Sequence, residues 1–112
     1  MMVVKYNEAV VQTDSGNIVR KMLAHDGTLM MAEVMFKEVT DDYGMHNHPH
    51  EQIAYVLKGS VDFVVEGQGH VILSEGDSVY VEPHVMHGGK PLVAGTILLD
   101  VFTPMRDDFI TK

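Results

Sequence analysis

The 112-residue sequence contains no cysteine and no tryptophan, and it has half as many basic as acidic residues. The missing cysteines exclude a disulfide framework and a metal site built on thiolates. Its 16 acidic and 8 basic residues give a net charge of −8, which disfavours binding to phosphate backbones and anionic membranes. We therefore expect neither a nucleic-acid partner nor a membrane partner.

Long apolar runs are also missing, and no charged-then-apolar leader opens the sequence. Neither a signal peptide nor a membrane span is predicted, so we expect a cytoplasmic protein. The length suits one domain over residues 1–112, large enough for a hydrophobic core.

The sequence does contain short β-type segments, which recur about every ten residues and are separated by turn residues. An Asp-Gly pair within residues 25–28 predicts a hairpin turn, Glu66-Gly67-Gln68-Gly69 predicts a second, and two further turns are expected at residues 13–17 and 88–91. The predicted strands cover residues 18–24, 29–39, 61–65, 70–73, 78–81 and 96–102.

No convincing amphipathic helix accompanies these strands, so the pattern indicates an all-β fold. An all-β chain of this size must protect its sheet edges, and a double-sheet jelly roll does so. Residues 1–12 are predicted to form an N-terminal arm, and the tail after the last strand is expected to be short and partly helical.

Three histidines alternate in His46-Asn47-His48-Pro49-His50, just before the apolar run 53–57. In an extended segment, side chains two residues apart project from one face, so His46 and His48 can converge on one ion. A solvent-exposed turn is the simpler interpretation of one histidine pair. However, a predicted strand and a proline-marked turn much later in the sequence lead to another histidine, His87. Imidazole is a suitable ligand for several divalent transition metals.

These segments resemble the two sequence motifs of the cupins, here at residues 46–59 and 76–87. The resemblance implies a double-stranded β-helix, the cupin jelly-roll barrel. It also implies one divalent transition metal ion (nickel, zinc, manganese, iron or cobalt) whose ligands are His46, His48, Gln52 and His87. Gln52 stands where most cupins carry glutamate. Because Gln52 is neutral, the ion would keep its full charge for Lewis-acid chemistry, and a base must come from elsewhere.

The last predicted strand contains a candidate base. Period two places Leu98, Asp100 and Phe102 on one face, and Arg106 follows four residues later. An acid among residues that face a barrel interior is costly unless it is paired or functional. Two interpretations remain open here, a structural salt bridge between Asp100 and Arg106 and a catalytic role for Asp100.

Residues 19–22, 29–34, 46–57 and above all 95–109 resemble the pectin-degradation cupins of the KdgF type. The resemblance implies an enzyme that converts 4,5-unsaturated uronate monosaccharides from pectin or alginate breakdown to the linear 5-keto sugar acid. Asp100, Phe102 and Arg106 match the catalytic positions of that family. Asp100 would move protons, Phe102 would pack against the sugar ring, and Arg106 would pair with the carboxylate of this small sugar acid.

Alternatives to this function are a metal-dependent dioxygenase-type cupin and a non-catalytic cupin that binds a small acid or sugar. We also expect a homodimer, because the N-terminal arm can add a strand to a partner sheet as in other cupins. The remaining histidines, His25, His50, His70 and His84, are not predicted ligands. Whether His84 lines the pocket stays open.

Overall fold

The computed structural model describes residues 1–110, which form nine strands and two single helical turns. A 3-10 turn at Tyr6–Glu8 precedes the first strand, and the C-terminal turn is α1 (Asp107–Ile110). The strands are β1 (Val10–Ser15), β2 (Ile18–Asp26), β3 (Leu29–Phe36), β4 (Glu51–Lys58), β5 (Ser60–Val65), β6 (Gly69–Ser74), β7 (Ser78–Val81), β8 (His87–Pro91) and β9 (Ile97–Thr103).

The strands form two antiparallel sheets. The larger has six strands in the order β1-β2-β3-β9-β4-β7, and the smaller has three in the order β6-β5-β8. The all-β jelly roll predicted from the sequence is confirmed, and the tail is helical only over α1. None of the helices in residues 1–110 is long and apolar enough to cross a bilayer.

Two groups of buried side chains fill the space between the sheets. The first, which joins strands of both sheets, consists of Val56, Val61, Phe63, Leu73, Val81 and Leu98. The second packs the large sheet against α1 and consists of Met22, Met30, Ala32, Phe102 and Phe109. Met30 in this second group has 1% of its surface exposed, in keeping with the use of methionine to fill irregular core space.

Both predicted hairpins are present, as β2–β3 and β5–β6. The strand predicted over residues 29–39 ends earlier, at Phe36, because the next two backbone N–H groups form hydrogen bonds with Asn17. Its carbonyl accepts from Lys37 N–H at 2.8 Å, and its side-chain Oδ1 accepts from Glu38 N–H at 2.9 Å.

The turn predicted at residues 88–91 is wrong, since this segment is strand β8 and pairs with β5. The two glycines serve close packing there and do not form a turn. A Cβ on Gly88 would collide with the carbonyl of Tyr43, and one on Gly89 would lie 2.8 Å from Val61 Cγ2. The turn predicted at residues 13–17 is shorter than expected, because β1 continues to Ser15.

Candidate metal and catalytic site

The site is built on the inner face of the large sheet, where β9 lies between β3 and β4. Burial alternates along β9, and Leu98, Asp100 and Phe102 are the buried positions, as period two predicts. Gln52 on β4 is the register partner of Phe102, and Ala54 is the partner of Asp100. The pairing therefore brings Gln52 next to Asp100 on the same face.

Three histidines come together beside Gln52. His46 and His87 form an isolated antiparallel bridge, with both N–H···O distances at 2.9 Å. The ring centroids of His46 and His48 lie 4.5 and 4.9 Å from that of His87. One nitrogen from each of the three rings can be chosen so that all lie within 4.8 Å of one another. The structure thus brings together the three predicted histidine ligands.

The protonation of these rings follows from their backbone contacts. Each Nδ1 lies near a carbonyl oxygen two residues away in the chain, at 2.7 Å for His46, 3.1 Å for His48 and 2.9 Å for His87. A carbonyl oxygen only accepts, so each Nδ1 carries the proton and each neutral ring presents a lone pair at Nε2. Such backbone contacts orient metal-binding histidines.

Gln52 completes the cluster and links it to Asp100. Its Oε1 lies 2.9 Å from His48 Nε2 and 3.1 Å from His87 Nε2, whereas its Nε2 donates to Asp100 Oδ1 at 3.1 Å. An amide oxygen and two unprotonated imidazole nitrogens are all acceptors, so they cannot satisfy one another. A cation between them can, and the residues therefore fit a divalent metal with three nitrogen ligands and one neutral oxygen ligand.

Burial disfavours the protonated form of two of these histidines, His48 and His87. It lowers the pKa of His87 to about 4, against a weaker opposing effect of the Val85 carbonyl. Burial also lowers the pKa of His48, opposed by its contact with Gln52. Imidazoles that stay unprotonated at neutral pH are available as ligands without first losing a proton.

Asp100 is 9% exposed and has one hydrogen-bond donor, the Gln52 amide, among residues 1–110. Burial raises its pKa to about 6, although Gln52 and the charges of Arg20 and Arg106 act in the opposite direction. A carboxylate in such surroundings can both accept and return a proton near neutral pH.

The salt bridge between Asp100 and Arg106, one of the two interpretations of this pair, is absent from the described part of the chain. Arg106 instead donates from Nε and Nη2 to the two carboxylate oxygens of Asp108, at 3.0 and 2.7 Å. Asp108 lies two residues away on α1 and forms a local pair with the guanidinium. Asp100 is left without a charged partner within 4.0 Å among residues 1–110.

Phe102 is buried and lies between the metal cluster and Arg106. Its ring centroid is 5.5 Å from that of His48 and 5.3 Å from the Arg106 guanidinium carbon. A cavity of about 310 Å³ opens beside it and is walled by predicted site residues, namely Gln52, Asp100, Phe102 and Arg106 together with His46 and His87. Such a volume accommodates a monosaccharide-sized ligand.

The other histidines stay outside the cluster. His84, whose role was open, has φ 68°, donates its backbone N–H to the His48 carbonyl at 2.8 Å, and is not among the cavity-lining residues. His70 contacts Asp62 at 3.2 Å, and His25 contacts the Leu23 carbonyl at 2.9 Å. His50 has a buried Nδ1 without a hydrogen-bond partner among residues 1–110.

Sequence reasoning assigned no role to two charged cavity residues, Asp42 in the loop before His46 and Arg20 on β2. A signal existed, because period two along β2 places Arg20 on the same face as Ile18 and the buried Met22. A positive charge on the face that carries core residues is costly unless it is paired or functional, as was argued for Asp100.

Comparisons with known proteins agree with this geometry. The cupin domain family matches residues 32–91. The pectin degradation protein KdgF of Dickeya dadantii (strain 3937) is 38% identical over 93 residues, which covers 83% of this chain and 84% of that protein.

Two solved structures superpose with a TM-score of 0.86 and 33% sequence identity. One is KdgF from Halomonas sp., covering 96% of this chain and 97% of the other. The second is an RmlC-like cupin from Shewanella frigidimarina NCIMB 400, covering 97% and 96%, respectively.

Proposed function

Because this chain belongs to the cupin family and has KdgF proteins among its relatives, we propose that it is a metal-dependent enzyme of pectin or alginate breakdown. It converts 4,5-unsaturated uronate monosaccharides to the linear 5-keto sugar acid. The observation that carries the proposal is the position of Gln52, whose amide oxygen faces the histidine cluster while its amide nitrogen donates to Asp100.

One divalent transition metal ion would be held by His46, His48, Gln52 and His87, and nickel, zinc, manganese, iron and cobalt all suit this ligand set. When bound, the ion supplies Lewis-acid polarisation of a substrate oxygen. Because the ligands are neutral, they leave Asp100 as the nearby group that can take a proton.

Asp100 performs the proton transfers in this proposal. It removes the proton from the anomeric hydroxyl, the C1 carbonyl forms, and the bond between C1 and the ring oxygen breaks. The electron pair of that bond stays on the ring oxygen as the enolate of C5 and C4. Protonated Asp100 then returns its proton to C4, which leaves a ketone at C5, so no atom or electron is gained or lost overall.

Arg106 and Phe102 position the substrate. Phe102 lies in the cavity wall beside His48 and presents an apolar surface to the sugar ring. Arg106 supplies positive charge at the same wall and interacts with the substrate carboxylate. Its pairing with Asp108 leaves Nη1 as the nitrogen for which no hydrogen bond is formed within residues 1–110.

The reaction is tested by incubating the metal-loaded protein with an unsaturated uronate and following the loss of absorbance of its C4=C5 bond. We expect enzyme-dependent loss without oxygen consumption. Oxygen uptake during turnover would instead support the dioxygenase alternative. Tight binding of the sugar acid without turnover would support the binding-module alternative.

The metal site is tested by ligand truncation and elemental analysis. His46→Ala, His48→Ala and His87→Ala should each release the ion and abolish turnover, because three protein ligands do not hold it as tightly as four. His50→Ala is the matched control, since it keeps the backbone carbonyl that orients His48. Full metal occupancy in the first three variants would contradict the assignment.

We further propose that the protein is a cytoplasmic homodimer. Support comes from β1, the first strand of the large sheet, whose outer edge has no partner within residues 1–110. Residues 10–12, part of the predicted arm, belong to this strand, in which Val10 and Val11 pair with β2 of the same chain. An exposed edge can pair with a second copy. Light scattering of a chain lacking residues 1–12 should show weakened dimerisation, and an unchanged dimer would place the interface elsewhere.

A further inference from the structure

We propose that Arg20 is a second substrate-binding residue, which binds the carboxylate of the sugar acid beside Arg106 and so selects uronates over neutral sugars. The inference rests on the proposed function and assigns a specificity residue to the same cavity. Arg20 lies on β2, where its register partner is Val34 on β3, and it lines the cavity together with Asp100 and Gln52. It approaches the cavity from a strand that contributes no metal ligand.

The Arg20 side chain is held in place before any ligand binds. Its Nη1 donates to Gln12 Oε1 at 2.9 Å, and its guanidinium carbon lies 4.2 Å from the ring centroid of Phe109. Phe109 is 7% exposed and also contacts the Arg106 guanidinium at 4.2 Å. The aromatic ring of α1 therefore brings the two arginines together and restricts their motion.

The two arginines differ in their free donors. Arg106 donates from Nε and Nη2 to Asp108. These two N–H groups form the pair that would otherwise bind a substrate carboxylate in a bidentate manner. Arg20 makes one hydrogen bond, to a neutral amide, and within residues 1–110 it has no carboxylate within 4.0 Å. Most of its five N–H groups therefore remain available to a ligand.

A half-buried guanidinium without a carboxylate in hydrogen-bond contact is costly to the folded protein, because burial removes hydration that Asp100 and Asp108, acting at longer range, replace only in part. Burial is also the main influence on Arg20, and it lowers the pKa of this group. A ligand carboxylate would restore both the charge balance and the bidentate hydrogen bonding that suits arginine. A neutral sugar would restore neither.

The experiment measures ligand binding separately from turnover. Calorimetric titration of the metal-loaded protein with galacturonate, a saturated uronate, is compared with titration with galactose, which lacks the carboxylate. We expect the wild type to bind galacturonate more tightly. Arg20→Gln should weaken that binding by about 10- to 100-fold and leave galactose binding unchanged. Arg20→Lys should lie between the two, since a point charge replaces the fork.

Lys21→Gln is the matched control. It removes the same charge from the adjacent residue, whose ammonium lies 4.4 Å from the Tyr6 ring and does not line the cavity. On an unsaturated uronate, Arg20→Gln should raise KM by a factor similar to its loss of affinity, with kcat within about fivefold of the wild type. Circular dichroism and metal analysis confirm that the variants are folded and loaded.

Equal galacturonate affinity in the wild type and Arg20→Gln would overturn the inference, as would an equal loss in Lys21→Gln. So would a wild type that binds galacturonate no more tightly than galactose. A wild type that binds galacturonate through Arg20 but does not turn over the unsaturated sugar would contradict the proposed reaction and leave the carboxylate site standing. The two failures are therefore distinguishable.

Discussion

Two aspartates in this protein have almost the same exposed fraction, Asp62 at 8% and Asp100 at 9%, yet Asp100 lies deeper in the protein and the hydrogen-bond partners of the two differ. Asp62 on β5 accepts from the Tyr43 hydroxyl at 2.6 Å and contacts His70 Nδ1 at 3.2 Å. Asp100 on β9 receives one amide hydrogen bond, from Gln52 at 3.1 Å. The protein thus satisfies one buried carboxylate and leaves the other open to the cavity.

The difference appears in opposite pKa shifts. The hydrogen bond from Tyr43 is the main reason that the pKa of Asp62 lies below its usual value. Burial raises the pKa of Asp100 to about 6. A low exposed fraction alone therefore does not identify a functional carboxylate. What separates the two is whether protein donors satisfy the charge, and by this criterion Asp62 anchors a loop and Asp100 is available for chemistry.

The largest expected effect comes from Asp100→Asn. Asparagine preserves size but cannot accept the proton, so turnover of an unsaturated uronate should fall by roughly two to four orders of magnitude. Steady-state kinetics, circular dichroism and metal analysis on one preparation measure the effect. Near wild-type turnover by a folded, metal-loaded variant would return Asp100 to a structural role.

Gln52→Glu should have the next largest effect, a loss of about 10- to 100-fold in kcat. A glutamate keeps or tightens metal binding, but it partly neutralises the Lewis acid and removes the N–H that donates to Asp100. Kinetics and metal affinity are measured together, since the variant should separate them. Higher activity than the wild type would contradict the view that a neutral ligand serves this site.

Asp62→Asn should act on stability, with activity changed by no more than about threefold. The charge-assisted hydrogen bond from Tyr43 would be weakened, and the free energy of unfolding should fall by about 1 to 3 kcal/mol. Denaturant unfolding measures it. A loss of turnover comparable to that of Asp100→Asn would break the distinction between the two aspartates.

The same distinction shows how far sequence reasoning reaches. Period two on β9 correctly placed Asp100 and Phe102 inward. The spacing of His46 and His48, together with the second cupin motif that contains His87, predicted the histidine cluster that the structure shows. These predictions needed only local geometry and a family motif. The hairpin turn between β2 and β3 was likewise a local property of an Asp-Gly pair.

What the sequence left open or missed depended on tertiary contacts. The partner of Arg106 is Asp108 and not Asp100, and this choice depends on how α1 folds back. Gly88 and Gly89 have the composition of a turn, but they form a strand because Tyr43 and Val61 approach too closely for side chains.

The smallest predicted effect is also the most direct comparison of the two aspartates, and it concerns the pH dependence of stability in metal-free protein. Asp62 has a lowered pKa in the folded state, so the stability it contributes is present above the unfolded value of about 3.9 and is lost as the pH falls further. Asp100 has a folded pKa of about 6. Its contribution is therefore most favourable below about pH 4 and declines as the pH rises through 6.

Urea unfolding between about pH 4 and pH 8, in the presence of a chelator, would measure both effects as differences between the wild type and each asparagine variant. The free energy of unfolding of the wild type should exceed that of Asp62→Asn by a constant amount above about pH 5, and the difference should shrink towards pH 4. The difference in unfolding free energy between the wild type and Asp100→Asn should instead become less favourable to the wild type as the pH rises from about 4 to 6. The reason is that Asp100 binds a proton more tightly in the folded than in the unfolded wild type over this range. If both differences change with pH in the same direction, protein donors stabilise the Asp100 carboxylate in the folded state as they do that of Asp62, and Asp100 is not the open carboxylate of this pair.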